Sequence, residues 1–407
     1  MVVWFMSAYD QPLGKSSRTY DYAVQLSRMG HEVIMFTNSY CHWTHVDILN
    51  HDETHRVEMV NGIKVIWLKT FKYNGNGLKR GLNMLSNMLR SLKVEKLIYH
   101  KPDVVIGPSV PIGTGLVALR IAKKYKAAFV YEVRDVWPIA LVDDGGLSKN
   151  SPIYFIFRFI EKILYKECNK ISSTVPFLHQ HVEDSGADPD KIVWLPNGVD
   201  FERFSNCDYY NGGSKNNINV MYIGGFGQAH DVITLVKCAL LFHLVDDKRF
   251  NFIIIGDGPK KEECIQFANQ HALSNVEFRN SIDKSEIPTE QMDADILVAC
   301  VLDSEIYRFG VNLNKIYDYM ASARPVILAA NVPNNPILDA NSGYAIKPNN
   351  PRLMYEALSE YIALSSSDRK KLGINGAKYV QAKFDIKNLA IRMNSMLTKC
   401  VTIKENM

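Results

Sequence analysis

The sequence predicts two α/β domains, each a largely parallel sheet with helices on both faces. Three observations carry this. Strand-like apolar runs alternate with helical patterns through the first half. The alternation stops in a polar stretch from Gly198 to Asn219 rich in Asn and Gly, then restarts and runs nearly to the end. At 407 residues the chain is long for one domain and ordinary for two. Strand–helix–strand alternation implies parallel pairing and helices on both faces. Such sheets bind ligands beyond the carboxyl ends of their strands.

In order, the first half opens with VVWFMSA (Val2 to Ala8), a strand, followed by a helix from Ser16 to Met29. The start lacks a basic region ahead of its apolar residues, so it reads as strand rather than signal peptide. Further strands are expected at HEVIMFT, IKVIWLKT and DVVIGPS (Asp103 to Ser109), with a basic helix over Gly77 to Leu97. A helix near Gly113 to Lys126, the strand AAFVYEV and a helix over Ile153 to Lys166 come next, and WLPN (Trp194 to Asn197) ends the half. The second half contains NVMYIGG, FNFIIIG, NVEFRN, ADILVACV, RPVILAA and GYAI, six strands separated by helical patterns. Within it, GVNLNKIYDYMASARPVI (Gly310 to Ile327) reads as a loop, a short helix and the start of a strand. Asn312 or Asn314 can cap that helix. Ile316, Tyr319, Met320 and Ala323 form its apolar stripe, and it ends near Ala323 ahead of Pro325. A last helix, Ile386 to Leu397, can pack on either domain.

Composition narrows the function. With 47% hydrophobic and 22% charged residues the chain is ordinary globular material. Its longest apolar run, Ile296 to Leu302, is far short of the roughly 20 residues of a membrane span. Seven scattered cysteines without a C-x-x-C pair suggest reduced thiols in the cytoplasm. Residues Lys64 to Lys126 hold 13 Lys and Arg against 2 Asp and Glu, a net +11. A basic amphipathic helix of this kind suits an anionic membrane surface. No nucleic-acid motif accompanies the charge, so nucleic acid is not an expected partner.

Several motifs fail on inspection. YDQPLGKSS resembles a P-loop, but that pattern needs glycine at Tyr9, and Pro12 interrupts it. A turn of Gly14 and Lys15 facing a cleft remains. Asp293 and Asp295 lead straight into an apolar strand, which suits solvated residues better than a metal pair. No G-x-G-x-x-G is present, and the histidines lack metal-ligand spacing. No metal or cofactor is expected.

What survives lies at strand ends. YIGGFGQAH and IIIGDGPKK put Gly225, Gly227, Gly256, Asp257 and Gly258 where strand meets helix, and glycine lets a backbone approach a phosphate closely. Lys315 is the oddity. A cation in the first helical turn opposes the helix dipole and the unpaired N–H groups there. A diphosphate would make the placement favourable, meeting backbone N–H groups near Gly225, Gly227, Val311 and Asn314 together with the lysine. Asp318, one turn deeper, can accept hydrogen bonds from the vicinal hydroxyls of a ribose. Phosphate, lysine, ribose and aspartate in that order describe a nucleoside diphosphate. In the first half, Arg134 and Asp135 end a strand, where a site would be.

These residues resemble a known family. RDVWP, LPNGVDFERF, GDGP and NKIYDYMASARPVI together look like retaining GT-B glycosyltransferases of glycosyltransferase family 4. They are closest to the bacterial amino-sugar (N-acetylfucosamine-type) transferases of O-antigen and capsule assembly. The resemblance implies a GT-B fold: two Rossmann-like doubly wound domains facing a cleft, with the C-terminal helix crossing back to the first. It gives an acceptor domain over 1–198, a nucleotide-sugar domain over 199–382, and a helix and tail over 383–407. It places the family's ribose-holding acid on Asp318. The glutamate common eight residues earlier is replaced by Gly310, leaving Glu305 and Arg308 as candidate sugar or phosphate contacts. The basic residues frequent in the first glycine turn fall on Gly225 and His230, and the last motif's glycine is Ala323.

The expected activity is therefore metal-independent, retaining transfer of a sugar from a nucleoside diphosphate, UDP favoured, onto a lipid-linked saccharide. Lys315, Arg134 and Asp135 are the catalytic candidates. The expected location is cytoplasmic, peripheral on the membrane's inner face. A nucleotide-sugar epimerase on a similar scaffold and a non-catalytic nucleotide-sugar binder are the competing readings.

Overall fold

The computed structural model describes residues 1–12, 18–42, 44–75, 77–98, 100–205 and 210–405. The chain divides into two compact units, Met1–Pro196 with Ile386–Met407, and Asn197–Asp385.

The first unit holds strands β1 (Val2–Met6), β2 (Glu32–Asn38), β3 (His55–Val60), β4 (Ile63–Leu68), β5 (Val104–Pro108), β6 (Ala128–Val133), β7 (Lys170–Ser173) and β8 (Ile192–Trp194). They pair in the order β3-β4-β2-β1-β5-β6-β7-β8. All pairs are parallel except β3 with β4. The apolar runs became parallel strands because helices cover both faces, and β5 and β6 are buried throughout. The unforeseen β3 is a half-exposed edge strand reached through Asn61 and Gly62, both at positive φ, the geometry of a tight hairpin. The helix Ile386–Glu405 buries Leu389, Ala390, Met393 and Leu397 in this unit's core, beside Phe5, Tyr22 and Trp67.

The second unit holds β9 (Ile218–Ile223), β10 (Phe250–Ile255), β11 (Val276–Arg279), β12 (Ile296–Cys300), β13 (Val326–Ala329) and β14 (Gly343–Ile346). Their order is β11-β10-β9-β12-β13-β14, all parallel. Both sheets are doubly wound. The strand order reverses beside β1 and β5 in one unit and beside β9 and β12 in the other, where such sheets open a crevice. Among the described residues no helix is long and apolar enough to cross a membrane.

The short helix runs from Asn314 to Ala321, and neither expected asparagine caps it. Asn312 instead accepts from the Asn197 N–H at 2.9 Å, and Leu313 takes the N-cap position without a side-chain acceptor. Ala323 adopts φ 57°, the left-handed conformation that glycine prefers.

Candidate functional site

The second unit gathers most of the candidates at the crevice beside β9 and β12. β9 runs out into Gly224, Gly225, Phe226 and Gly227, and β10 into Gly256, Asp257 and Gly258. The two turns are bonded to each other. The Gly224 N–H donates to Ile255 O at 2.9 Å, and the Phe226 N–H to Asp257 O at 2.9 Å. A Cβ at Gly256 would stand 1.9 Å from Gly224 O, and one at Gly258 2.7 Å from Phe226 O. Gly256 and Gly258 are thus required by loop-on-loop packing at positive φ, not by room for a ligand. The Asp257 carboxylate is likewise engaged, with Lys261 Nζ at 3.2 Å and the Ser281 N–H at 3.2 Å. Gly225 is different, exposed with only ordinary contacts around its missing side chain.

Lys315 rises from the first turn of its helix into this glycine turn. Its Nζ donates to Tyr222 Oη at 2.7 Å and lies 4.3 Å from the Tyr222 ring centroid, while the Tyr222 hydroxyl donates to Gly225 O at 2.7 Å. A Cβ on Gly224 would come within 2.5 Å of Nζ. Glycine at 224 is what admits the ammonium. Burial pushes the lysine's pKa down to about 8. Its polar partner is a neutral phenol, whose own pKa burial raises. The helix is held by Tyr319, whose hydroxyl accepts from the Ile223 N–H and donates to Ile223 O, both at 2.8 Å.

His230 closes the same turn. Its Nδ1 accepts from the Gly227 N–H at 3.2 Å, so the Gly227 donor predicted for phosphate is occupied, and Nε2 carries the ring proton. Burial, reinforced by the Lys315 charge, lowers its pKa to about 3, and the ring is neutral at ordinary pH. The Val311 N–H is also taken, by Asn334 Oδ1 at 2.7 Å. Asn314 is exposed at the mouth of the helix.

Asp318 is buried, at 6% exposure, and pairs with Arg203 Nη1 at 3.3 Å. Arg203 comes from the turn Phe201–Phe204, inside the LPNGVDFERF motif, and also donates to Lys284 O at 3.3 Å. Glu305 and Arg308 are exposed on the short helix Glu305–Phe309 and line an open cavity of about 660 Å³ with Asp303, Ser304 and Asn331. Gly310 ends that helix at φ 112°, a conformation that glycine adopts far more readily than the glutamate common at this place in the resembling family.

In the first unit, Arg134 is not a free cation. Both its terminal nitrogens reach Asp10, one at 3.0 Å, and Asp10 also accepts from the Thr19 hydroxyl. The turn is pinned by Ser109, whose hydroxyl accepts from the Arg134 N–H at 3.1 Å and donates to Asp135 O at 2.9 Å. The Asp135 side chain is exposed. Gly14 and Lys15 lie outside the described residues. Asp295 proves structural, accepting from Tyr210 Oη at 3.1 Å and the Asn219 N–H at 2.8 Å.

Sequence reasoning missed Tyr222, Arg203, Asn334 and Asp10. Arg203 and Asp10 sit inside quoted motifs, and a polar residue left without a role there is a usable signal. Tyr222 read as an ordinary strand aromatic.

Comparison with known proteins agrees with this architecture. A glycosyl transferase 4-like domain matches residues 14–198, and a glycosyl transferases group 1 domain matches residues 217–363. Sucrose-phosphate synthase from Thermosynechococcus elongatus has the same fold, with a TM-score of 0.77 over 99% of both chains at 14% identity. So does Alr3699/HepE from Anabaena, solved with UDP and glucose, with a TM-score of 0.69 over 98% of this chain and 100% of that one at 11% identity. The chain is a glycosyltransferase of the GT-B class. An uncharacterized glycosyltransferase of Methanocaldococcus jannaschii, MJ1178, is 25% identical over 224 residues, 54% of this chain. That match spans 57% of the relative's length.

Proposed function

We propose that the protein transfers a sugar from a nucleoside diphosphate, UDP favoured, onto a lipid-linked saccharide, with retention and without a metal. The observation that carries this is Lys315. A half-buried ammonium in a first helical turn, facing a neutral phenol beneath an exposed glycine, has among the described residues no anion that would make its position favourable. A diphosphate resting over Gly225 supplies it. UDP bound on the same fold in the Anabaena protein supports the choice of ligand.

The chemistry is positioning and electrostatics. The bond from the anomeric carbon to the diphosphate oxygen breaks, and the acceptor oxygen bonds the same face of that carbon. The acceptor's proton passes to the departing phosphate oxygen, so no separate base is needed. Lys315 and the open N–H groups of its helix meet the charge that develops on the diphosphate. Asp318 takes the ribose hydroxyls, exchanging part of its bond to Arg203 for them. Arg134, tied to Asp10, fixes the strand-end turn that presents Asp135. The acceptor is assigned to the first unit and to surface-polysaccharide assembly by the motif resemblance, which brings the protein to an anionic membrane face.

The test is a thermal-shift and calorimetric panel of nucleoside diphosphate sugars. Stabilisation by a UDP-sugar, followed by transfer to a lipid-linked saccharide, is expected. Failure of every nucleotide to stabilise the protein, or epimerisation of the donor without acceptor, overturns the reading.

A further inference from the structure

The helix Leu78–Ser91 is packed inside out. Its buried side chains are polar: Asn83, Asn87 and Ser91. Asn83 Nδ2 donates to Phe71 O at 2.6 Å, Asn87 Nδ2 to Asn38 Oδ1 at 2.5 Å, and the Thr114 hydroxyl to Asn87 Oδ1 at 2.7 Å. The apolar stripe Leu78, Leu82, Leu85 and Leu89 faces solvent, Leu78 at 92% exposure and Leu89 at 51%.

The helix Pro152–Glu167 buries Leu164 and Tyr165 inward, yet it also buries a charge and leaves an apolar stripe outside. Glu161 is buried, one carboxylate oxygen 2.7 Å from His181 Nε2 and the other paired with Arg158. Ile153, Phe155, Ile156 and Phe159 are exposed, Phe159 at 65%. Both helices pack against the helix Ile112–Tyr125 of the same unit. Met88 Sδ comes 3.1 Å from the place of a Cβ on Gly113, and Leu164 Cδ1 3.2 Å from one on Gly115. One layer of three adjacent helices therefore carries two outward apolar stripes. Burial of apolar surface would favour the opposite orientation of the first helix, and in the second it leaves the exposed stripe uncovered.

Charge selects what covers them. The helix Leu78–Ser91 contains no acid, and exposed Lys79, Arg90, Lys93 and Lys96 lie on it or just beyond it. Arg80, part of the same basic stretch, instead lies 5.6 Å from the Tyr9 ring centroid. On the other helix the stripe Phe155, Phe159 continues at helical spacing into exposed Lys162 and Lys166. Glu167, at its end, pairs with Lys123 at 2.6 Å. Two copies of so basic a face repel each other. An anionic bilayer takes both the apolar side chains and the lysines that flank them.

We infer that these two stripes form one insertion surface for an anionic phospholipid bilayer. The leucines and phenylalanines enter the acyl boundary and the lysines meet headgroup phosphates. The inference deepens the lipid-linked acceptor reading, yet its test needs neither donor nor acceptor, so each can fail alone.

The experiment is co-sedimentation of the full chain with phosphatidylglycerol–phosphatidylcholine vesicles and with phosphatidylcholine vesicles. The wild type is expected to prefer the anionic vesicles and to stay bound through a wash at about 0.5 M salt, which screens charge but not apolar insertion. The combined substitutions Leu82→Ser, Leu85→Ser, Phe155→Ser and Phe159→Ser should lower partitioning by about tenfold or more, with UDP binding unchanged. Three results overturn the inference: no wild-type binding, binding lost wholly to salt and indifferent to the serines, or a vesicle-independent dimer that the serines abolish. A second measurement stands apart from the folding of that variant. The six cysteines among the described residues are buried. Leu85→Cys and Phe159→Cys can therefore each carry a polarity-sensitive dye, read against labelled wild type. A blue shift on anionic vesicles supports insertion, and an unchanged spectrum overturns it.

Discussion

Lys315 has two opposite obligations. In the folded protein burial holds its pKa near 8, below the ordinary 10.5. Between those values the unfolded chain binds the extra proton, so the lysine's contribution to stability rises with pH across that window and is a full penalty below pH 8. Lys315→Met should accordingly leave the unfolding free energy at pH 7 unchanged or raised, by no more than about 2 kcal/mol once the lost Tyr222 bond is set against the relief, as urea denaturation can show. The same variant should lose about 2–4 kcal/mol of kcat/KM. Retained kcat/KM would remove Lys315 from the site. A bound diphosphate raises the lysine's pKa, so wild-type affinity for UDP should be level below pH 8 and decline above it. Lys315→Met should abolish that decline, as titration calorimetry at several pH values can show. Asp318→Asn should weaken UDP binding by roughly 1.5–3 kcal/mol while sparing pyrophosphate, which has no ribose. Equal losses for both ligands would leave Asp318 as merely the partner of Arg203. Lys315 and Asp318 were legible in the sequence because a misplaced charge and a one-turn spacing are local facts. Tyr222 and Arg203 were not, since their roles come from neighbours 93 and 115 residues away.

The helix Asn314–Ala321 and the glycine turns set the next scale. The turn after the helix requires Ala323 at φ 57°, and the Gly373 backbone leaves no room for a Cβ against Ala323 O. Ala323→Gly should raise stability by up to about 1 kcal/mol by removing left-handed strain, measured by urea denaturation. Gly256→Ala should do the reverse and more, because its Cβ would collide with Gly224 O and separate the two turns. Strand existence was readable from apolar runs in all six strands of the second unit. The edge strand His55–Val60 was not, because one half-exposed hairpin arm has no distinctive composition. The helix Leu78–Ser91 was legible as amphipathic and basic. Which face turned outward was not, because hydrogen bonds to Asn38, Thr70 and Thr114 decided it against hydropathy.

Across the whole molecule, the C-terminal helix joins the first unit although it follows the second in sequence. Leu389, Met393 and Leu397 are fully buried there. Each contributes roughly 1.5–3 kcal/mol, which together approaches the whole stability of a typical domain. A chain ended after Asp385 should be insoluble or melt far lower, and a melting temperature near wild type would show the helix to be dispensable. Of the two acidic residues that resemble a metal pair, Asp295 has other work, its carboxylate accepting from Tyr210 Oη and the Asn219 N–H, which among the described residues leaves the Asp293 carboxylate without a second ligand beside it. Transfer should therefore survive EDTA, and loss of activity restored by Mg²⁺ would return both carboxylates to candidacy as ligands.

The sequence by itself determined the two α/β units, the six strands of the second and five of the eight in the first, and the strand ends where chemistry gathers. Hydrophobic periodicity and glycine placement are local and need no partner to be read. Tertiary structure decided what each polar group at those ends does. It tied Arg134 to Asp10, spent the Val311 and Gly227 donors on Asn334 and His230, and left Lys315 half-buried against a phenol. It also turned two apolar stripes outward. Apart from the Gly227–His230 contact within one turn, these bonds join groups 23 to 124 residues apart, and only folding brings them to hydrogen-bond distance.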